Sequence, residues 1–170
     1  MICVIDENNQ IINIVDTDRI TADNERPYYP WNELWEQYTD EMPLEYAKTA
    51  KLAEIDAWTA AKITGGFVSN ASGEAVTYDS DKDTQLTMQG IALNVNSELF
   101  AKKYPTGCPV RGYPIGSDTK QIYMLTPAQV MQWQADLSIH IGTCKQAGWT
   151  KQAEVAAAQS KEELEAIVLN

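Results

Sequence analysis

The chain has 170 residues with 24 acidic and 13 basic side chains, a net charge of −11 and a single histidine. This length fits one domain, or one domain with an appended module, and a fold of this size needs no disulfide or metal for stability. Binding to duplex DNA or to an anionic membrane depends on Lys and Arg, so the charge argues against nucleic acid and membrane as partners. Three cysteines are too few for a disulfide framework.

The beginning of the chain does not look like a targeting segment. A signal peptide needs a basic start and an apolar stretch of about 7–15 residues. Here a short apolar run, residues 1–5, leads directly into the polar residues 6–9. We therefore expect a protein that is made in a reducing cytoplasm and kept there, unless a larger particle later carries it out.

Acidic residues are concentrated near the N-terminus. Residues 1–46 hold 11 acids and 2 bases, whereas residues 47–170 hold 13 acids and 11 bases. A shift in composition of this kind indicates a separate module. We predict an N-terminal β-hairpin module over residues 1–26, a connector over residues 27–43 and a C-terminal domain over residues 44–170.

The N-terminal module has the pattern of a hairpin. Ile2–Ile5 and Ile11–Val15 are rich in β-branched residues, and the Asp and Asn residues between them favour a turn. A lone two-stranded hairpin is marginal in water, so this one needs a surface to pack on.

The connector is rich in proline and in aromatic residues. Pro27, Pro30 and Pro43 interrupt regular structure, and the apolar spacing over residues 31–39 predicts two helical turns between them. Five aromatic residues are too many for a solvated linker, and we expect them to pack on the C-terminal domain or to bind a partner chain. These candidate partner-binding residues are Tyr28, Tyr29, Trp31, Trp35 and Tyr38.

The C-terminal part alternates helices with hairpins. Helical periodicity predicts helices over residues 44–63, from residue 80 or 81 to about 103, from 126 to 148, over 150–158 and in a last turn or two after residue 160. Two short hairpins fall between them, over residues 67–78 and 110–125. Pro109 and Pro114 predict that the first strand of the second hairpin lies at a sheet edge. The fold class is therefore α+β and dominated by helices.

No group of residues has the pattern of a catalytic or metal site. The alternating acids of Asp79–Asp83 begin like a calcium loop, but Thr84 and Gly90 stand where that loop needs Gly and Glu. His140 precedes Cys144 by one helical turn, without a third residue to orient a nucleophile. We predict no catalytic residue, no metal ligand and no cofactor.

Several segments, taken in order, resemble a C-terminal domain of unknown function found in bacteriophage and prophage tail proteins. The resemblance covers roughly residues 47–168, and the segment from Val4 to Ile12 also resembles the start of many tail-fibre assembly and tail accessory proteins. The segments that carry it are Gly65–Phe67, Tyr78–Leu86, Leu125–Ala128, His140 and Ser160–Ile167. The domain has no known catalytic residues to transfer.

The resemblance implies a non-enzymatic phage tail protein that binds tail-fibre or baseplate subunits. It implies either an adaptor in the virion tail or an assembly chaperone of the fibre in the host cytoplasm, and it leaves an oligomer within the tail open. The alternative from another class is a small hydrolase of host surface glycans that uses an acid pair such as Asp79 and Asp83, because retaining chemistry needs two carboxyl groups about 5–5.5 Å apart.

Overall fold

The computed structural model describes residues 1–170 and has an α+β fold with 45% helix and 19% strand. The strands are β1 (Ile2–Ile5), β2 (Ile11–Val15), β3 (Glu25–Pro27), β4 (Phe67–Ser69), β5 (Val76–Tyr78), β6 (Cys108–Pro114) and β7 (Gln121–Leu125). The helices are α1 (Leu44–Thr64), α2 (Lys82–Asn94), α3 (Glu98–Lys103), α4 (Pro127–Ala157) and α5 (Lys161–Glu165).

The chain divides into two compact units. The N-terminal unit comprises Met1–Leu52 and Val155–Val168, and the central unit comprises Ala53–Glu154 with the last two residues. The predicted boundaries at residues 26 and 43 stay a prediction. The two units group residues by their contacts in space, and each unit contains two separate segments of the chain.

The N-terminal unit is built on the predicted hairpin. Asp6 shapes its turn, because Oδ1 accepts hydrogen bonds from the backbone N–H groups of Asn8 and Gln10. β3 adds a third strand on the other side of β1, giving the antiparallel order β2-β1-β3. β3 consists of only three residues, Glu25, Arg26 and Pro27, which show no alternation of apolar and polar side chains. The sequence analysis therefore did not predict this strand. The sheet buries Cys3, Ile5 and Ile11, with aromatic residues packed against them.

The central unit joins both predicted hairpins into one sheet with the order β4-β5-β6-β7. The prediction that β6 lies at an edge is therefore wrong. Its two neighbours pair with different parts of it: β7 pairs with residues 108–112, whereas β5 pairs only with Tyr113 and Pro114. Pro109 is thus tolerated in an inner strand, because only β7 pairs with that part of it.

The helices α2 and α3 correct the prediction of one helix from residue 80 or 81 to about 103. The N-cap of α2 is Asp81, whose Oδ1 accepts a hydrogen bond from the N–H of Thr84 at 3.0 Å. A second cap at Ser97, whose Oγ accepts from the N–H of Phe100, begins α3. An internal Ser that caps a new helix interrupts the old one, although the apolar periodicity continues through it.

Helix α4 is one continuous helix, whereas we predicted two, over residues 126–148 and 150–158. It runs unbroken through Gly148, where we predicted an end. Gly148 is buried, and a Cβ at this position would lie 2.4 Å from Oγ1 of Thr59 on α1. The glycine is therefore required for the close approach of two helices and not for a left-handed cap. Gly66, with φ of 101°, does follow the end of α1 as predicted.

Candidate functional site

The five aromatic residues proposed to bind a partner lie on the segment after β3, which forms turns and not the predicted helix over residues 31–39. Trp35, in the middle of the predicted helix, has a left-handed backbone with φ of 70°, which is incompatible with two regular helical turns. All five belong to the N-terminal unit.

Tyr28 and Tyr38 cover the core of the N-terminal sheet. Both pack against the buried cluster of Cys3, Ile5 and Ile11, and the hydroxyl of Tyr38 donates a hydrogen bond to the carbonyl of Pro27 at 3.1 Å. Burial is the main cause that raises the pKa of Tyr38, so its phenol stays neutral under physiological conditions. These two tyrosines therefore pack on the N-terminal sheet, whereas we expected them to pack on the C-terminal domain or on a partner chain.

Tyr29 and Trp31 form a second, half-buried aromatic group. Their rings stack with centroids 4.8 Å apart and an angle of 2° between planes, and the ring of Tyr46 on α1 meets Trp31 edge-on at 5.6 Å. The indole Nε1 of Trp31 donates to the carbonyl of Thr39 at 3.1 Å. Trp31 is thus held on three sides within its own unit.

A buried asparagine, which the sequence analysis missed, closes the loop that follows. The side chain of Asn32 is only 2% exposed, donates from Nδ2 to the carbonyl of Thr39 and accepts the N–H of Thr39 on Oδ1. The two bonds are 3.0 and 3.1 Å long and tie the ends of the loop 32–39 together. No sequence pattern distinguishes an Asn with this role from one on the surface.

Trp35 is the exception among the five, because 66% of it is exposed. Its φ of 70° places a bulky residue in the left-handed region, which costs roughly 1–2 kcal/mol. Backbone hydrogen bonds hold it there: its N–H donates to the carbonyl of Ile11 at 2.7 Å, and its carbonyl accepts from Nε2 of Gln10. The neighbouring Leu34 is also 47% exposed.

We call Leu34 and Trp35 the Trp35 tip. It projects from a loop whose next residue, Glu36, accepts the N–H of Ile11 at 2.8 Å, so that the loop pairs with the outer edge of β2. Exposed carboxylates flank the tip at Glu33 and Glu36, in a unit whose first 46 residues carry a large excess of acids. The result is a rigidly held apolar tip with an acidic rim.

The acids between residues 79 and 83 do not converge on one point. Asp81 caps α2, and hydrogen bonds from the hydroxyl and N–H of Thr84 lower its pKa. Asp79 forms an ion pair with Lys120, while Asp83 is exposed in the first turn of α2. The glycan hydrolase alternative stays a prediction, with no structural observation in its favour.

His140 and Cys144 do contact each other on α4. The sulfur lies 3.7 Å from Nε2 of the imidazole, and the same nitrogen lies 3.1 Å from the carbonyl oxygen of Lys62 at the end of α1. Asp136, one turn earlier, accepts a 2.6 Å hydrogen bond from the buried Ser69 on β4. These contacts tie α1 and β4 to α4, which is a structural role.

The remaining features concern metals and membranes. No group of three or more His, Cys, Asp or Glu side chains is placed to hold a metal ion. All three cysteines are buried and free, and burial raises the pKa of Cys3 and Cys108. No helix combines the length and the hydrophobicity that crossing a membrane requires.

Residues 46–168 match the model of a family described as a domain of unknown function (DUF4376). The chain belongs to this family. None of the curated proteins and none of the solved structures matches the chain. The family match begins after the loop that carries the Trp35 tip, so the proposed docking residues belong to the part of this chain that precedes the DUF4376 domain.

Proposed function

We propose that this chain is a non-enzymatic bacteriophage tail protein, whose N-terminal unit binds a tail-fibre or baseplate subunit. The phage context comes from two resemblances. Residues 47–168 resemble a domain found in bacteriophage and prophage tail proteins, and residues 4–12 resemble the start of tail-fibre assembly and tail accessory proteins. The adaptor of a virion tail and the chaperone of fibre assembly are two forms of this function, and both begin in the host cytoplasm during assembly.

The observation that carries the proposal is that Trp35 is largely exposed while its backbone is held in a strained, left-handed conformation. A protein that only needed to close this turn would be more stable with Gly at a left-handed position, since Gly has no Cβ to clash. Backbone strain that persists under hydrogen-bond restraint is found at binding sites, where it fixes a side chain before the ligand arrives. Trp is also one of the residue types that are enriched among the hot spots of protein interfaces.

The charge around the tip indicates what kind of surface would receive it. Glu33 and Glu36 leave the rim negative, so a partner with an apolar pocket edged by Lys or Arg is favoured electrostatically. Of the predicted docking residues, Trp35 would insert, whereas Tyr28, Tyr29, Trp31 and Tyr38 would support the loop from within.

Co-purification tests this function. The full chain is co-expressed with the fibre and baseplate proteins of its own phage, and one of them is expected to be retained at moderate salt and lost at high salt. Mass spectrometry of purified particles then separates the two forms, because an adaptor stays in the particle and a chaperone leaves. A chain absent from particles and retained by no tail protein would contradict the proposal.

A further inference from the structure

The outer edge of β2 in the N-terminal unit is only partly used by the chain. β2 is an outer strand of the sheet with the order β2-β1-β3. At its start, Ile11 donates its N–H to the carbonyl of Glu36 at 2.8 Å and accepts the N–H of Trp35 at 2.7 Å, so the loop that carries the Trp35 tip lies along this edge like a short further strand. No backbone hydrogen bond of the chain continues this pairing along residues 12–15.

Ile14 directs its backbone groups out of this open edge. The N–H of Ile5 donates to the carbonyl of Asn24 on the β3 side at 2.9 Å, so the preceding residue of β1, Val4, directs its backbone groups towards β2. Val4 is paired with Asn13. The next residue of β2, Ile14, therefore directs its N–H and C=O to the opposite side, where they have no backbone partner in the chain.

The two edges of this sheet differ in how they are protected. β3, at the other edge, ends in Pro27, which has no N–H to offer, and carries charges at Glu25 and Arg26. Proline and charge are common means by which an edge strand avoids pairing with another chain. β2 has the sequence Ile-Ile-Asn-Ile-Val, without proline or charge, and Ile12 and Val15 are 40% and 36% exposed. Its sequence therefore does not oppose the addition of another strand.

We propose that an extended segment of the tail partner adds to β2 as a further strand beside residues 12–15. A strand that adds to a sheet edge gains affinity from main-chain hydrogen bonds, here with Ile14, and specificity from alternate side chains, here over Ile12 and Val15. The added strand lies in line with the loop 35–37, so that its end reaches the Trp35 tip. The inference rests on the proposed function, because it names how the partner of that unit binds.

Charge indicates that the added strand carries Lys or Arg. Asp16 and Asp18 follow β2 directly and are exposed, and the exposed Glu36 lies beside its other end. The first 46 residues hold 11 acids and 2 bases. A second copy of the chain would bring the same acidic segment against this one, so pairing of two copies through this edge is opposed by repulsion. A basic strand is attracted instead.

A synthetic peptide tests this binding mode without the tail partner. The probe is a short capped peptide of alternating Lys and Val, and its matched control is N-methylated at every residue, which removes the backbone donors but keeps the side chains. We expect the probe at about 1 mM to slow hydrogen exchange of the Ile14 amide in the full chain at least about tenfold, as measured by NMR, and the control to have no effect. Unchanged exchange at Ile14, or an equal effect of the control, would overturn the inference.

Two further outcomes concern the choice of occupant and of edge. Slow exchange at Ile14 in the chain alone, together with a dimer in sedimentation equilibrium, would show that a second copy covers the edge and would overturn the inference. β7 is an edge strand without charge in the central unit, but Lys120 precedes it and repels a basic peptide. Equal slowing of the β7 amides would therefore overturn the assignment to β2.

Two variants of Ile14 separate this inference from the proposed function. Ile14→Pro removes the N–H at the open edge, where an edge strand tolerates proline, whereas Ile14→Ala keeps the N–H. Both lose the packing of Ile14 on the buried cluster of the sheet, so Ile14→Ala is the matched control. We expect Ile14→Pro to bind the peptide and the tail partner at least about tenfold more weakly than Ile14→Ala.

Equal retention of a tail protein by the two Ile14 variants would leave the proposed function standing and overturn the strand addition. Peptide binding at Ile14 by a chain that retains no tail protein would instead contradict the proposed function alone. If Ile14→Pro does not fold, the exchange measurement on the wild type decides.

Discussion

Single residues carry the main structural conclusions because their backbone or packing is unusual. Trp35 is held in a left-handed conformation. Gly148 on α4 lies so close to Thr59 on α1 that a Cβ at position 148 would clash with it. The sequence identified Trp35 as a candidate docking residue but not its backbone strain. That conformation depends on hydrogen bonds with Gln10, which donates to its carbonyl, and with Ile11, which accepts its N–H, both more than 20 positions earlier. Such long-range restraints leave no local pattern.

Replacing Trp35 tests whether its conformation is strained. We expect Trp35→Gly to leave the free energy of unfolding unchanged or to raise it by up to about 1 kcal/mol, because the relief of strain offsets the backbone entropy of Gly. Urea denaturation measures this, with Leu34→Gly as the control that should be destabilised. A loss of more than about 1 kcal/mol in Trp35→Gly would mean that the ring contributes to packing instead.

Replacing Gly148 tests the close approach of α4 to α1. We expect Gly148→Ala to destabilise the protein by about 1–3 kcal/mol, because its Cβ would lie 2.4 Å from Oγ1 of Thr59, closer than van der Waals contact allows. Gly142→Ala on the same helix adds a Cβ in open space and should stabilise by up to about 1 kcal/mol. Equal effects in the two variants, measured by thermal denaturation, would refute this account of Gly148.

At the scale of elements, the sequence predicted which segments are helix or strand better than where they end. Apolar periodicity found α1 and both hairpins of the central unit, because these depend on local spacing. It joined α2 to α3 and divided α4, because the roles of Ser97 and Gly148 depend on caps and on neighbouring helices. The inner position of β6 likewise depends on tertiary pairing, because β5 and β7 pair with different segments of this strand.

The cap of α2 should make its contribution to stability depend on pH. The pKa of Asp81 is lowered in the folded state, so its contribution is present above the unfolded value of about 3.9 and is lost as the pH falls through the lower folded value. Asn caps helices as well as Asp does but does not titrate. Asp81→Asn should therefore lose less stability than the wild type as the pH falls from about 5 to about 2, because a carboxylate with a lowered pKa takes up its proton over this range.

The two proteins are compared by urea denaturation at each pH. Asp83→Asn, in the first turn of the same helix, is the control and should follow the wild type more closely. A steeper loss of stability at acidic pH in Asp81→Asn than in the wild type would show that the ionised carboxylate of Asp81 does not stabilise the fold by capping α2.

For the whole molecule, the chain combines an acidic N-terminal segment with a DUF4376 domain over residues 46–168. The concentration of acids in the first 46 residues could be read from the sequence, and so could the α+β class. The return of residues 155–168 to the N-terminal unit could not, because it depends on tertiary packing. Within that unit Lys161 forms an ion pair with Glu41 at 3.0 Å.

The measurement that tests the central claim most directly is the affinity of the full chain for its tail partner, with two exposed tryptophans compared. Trp35→Gly removes the ring from the Trp35 tip, and Trp149→Ala removes an indole of nearly equal exposure from α4. Calorimetric titration is expected to show at least about a 30-fold loss of affinity for Trp35→Gly, as for an interface anchor worth about 2 kcal/mol, and wild-type affinity for Trp149→Ala. Wild-type affinity in a folded Trp35→Gly variant would contradict the account.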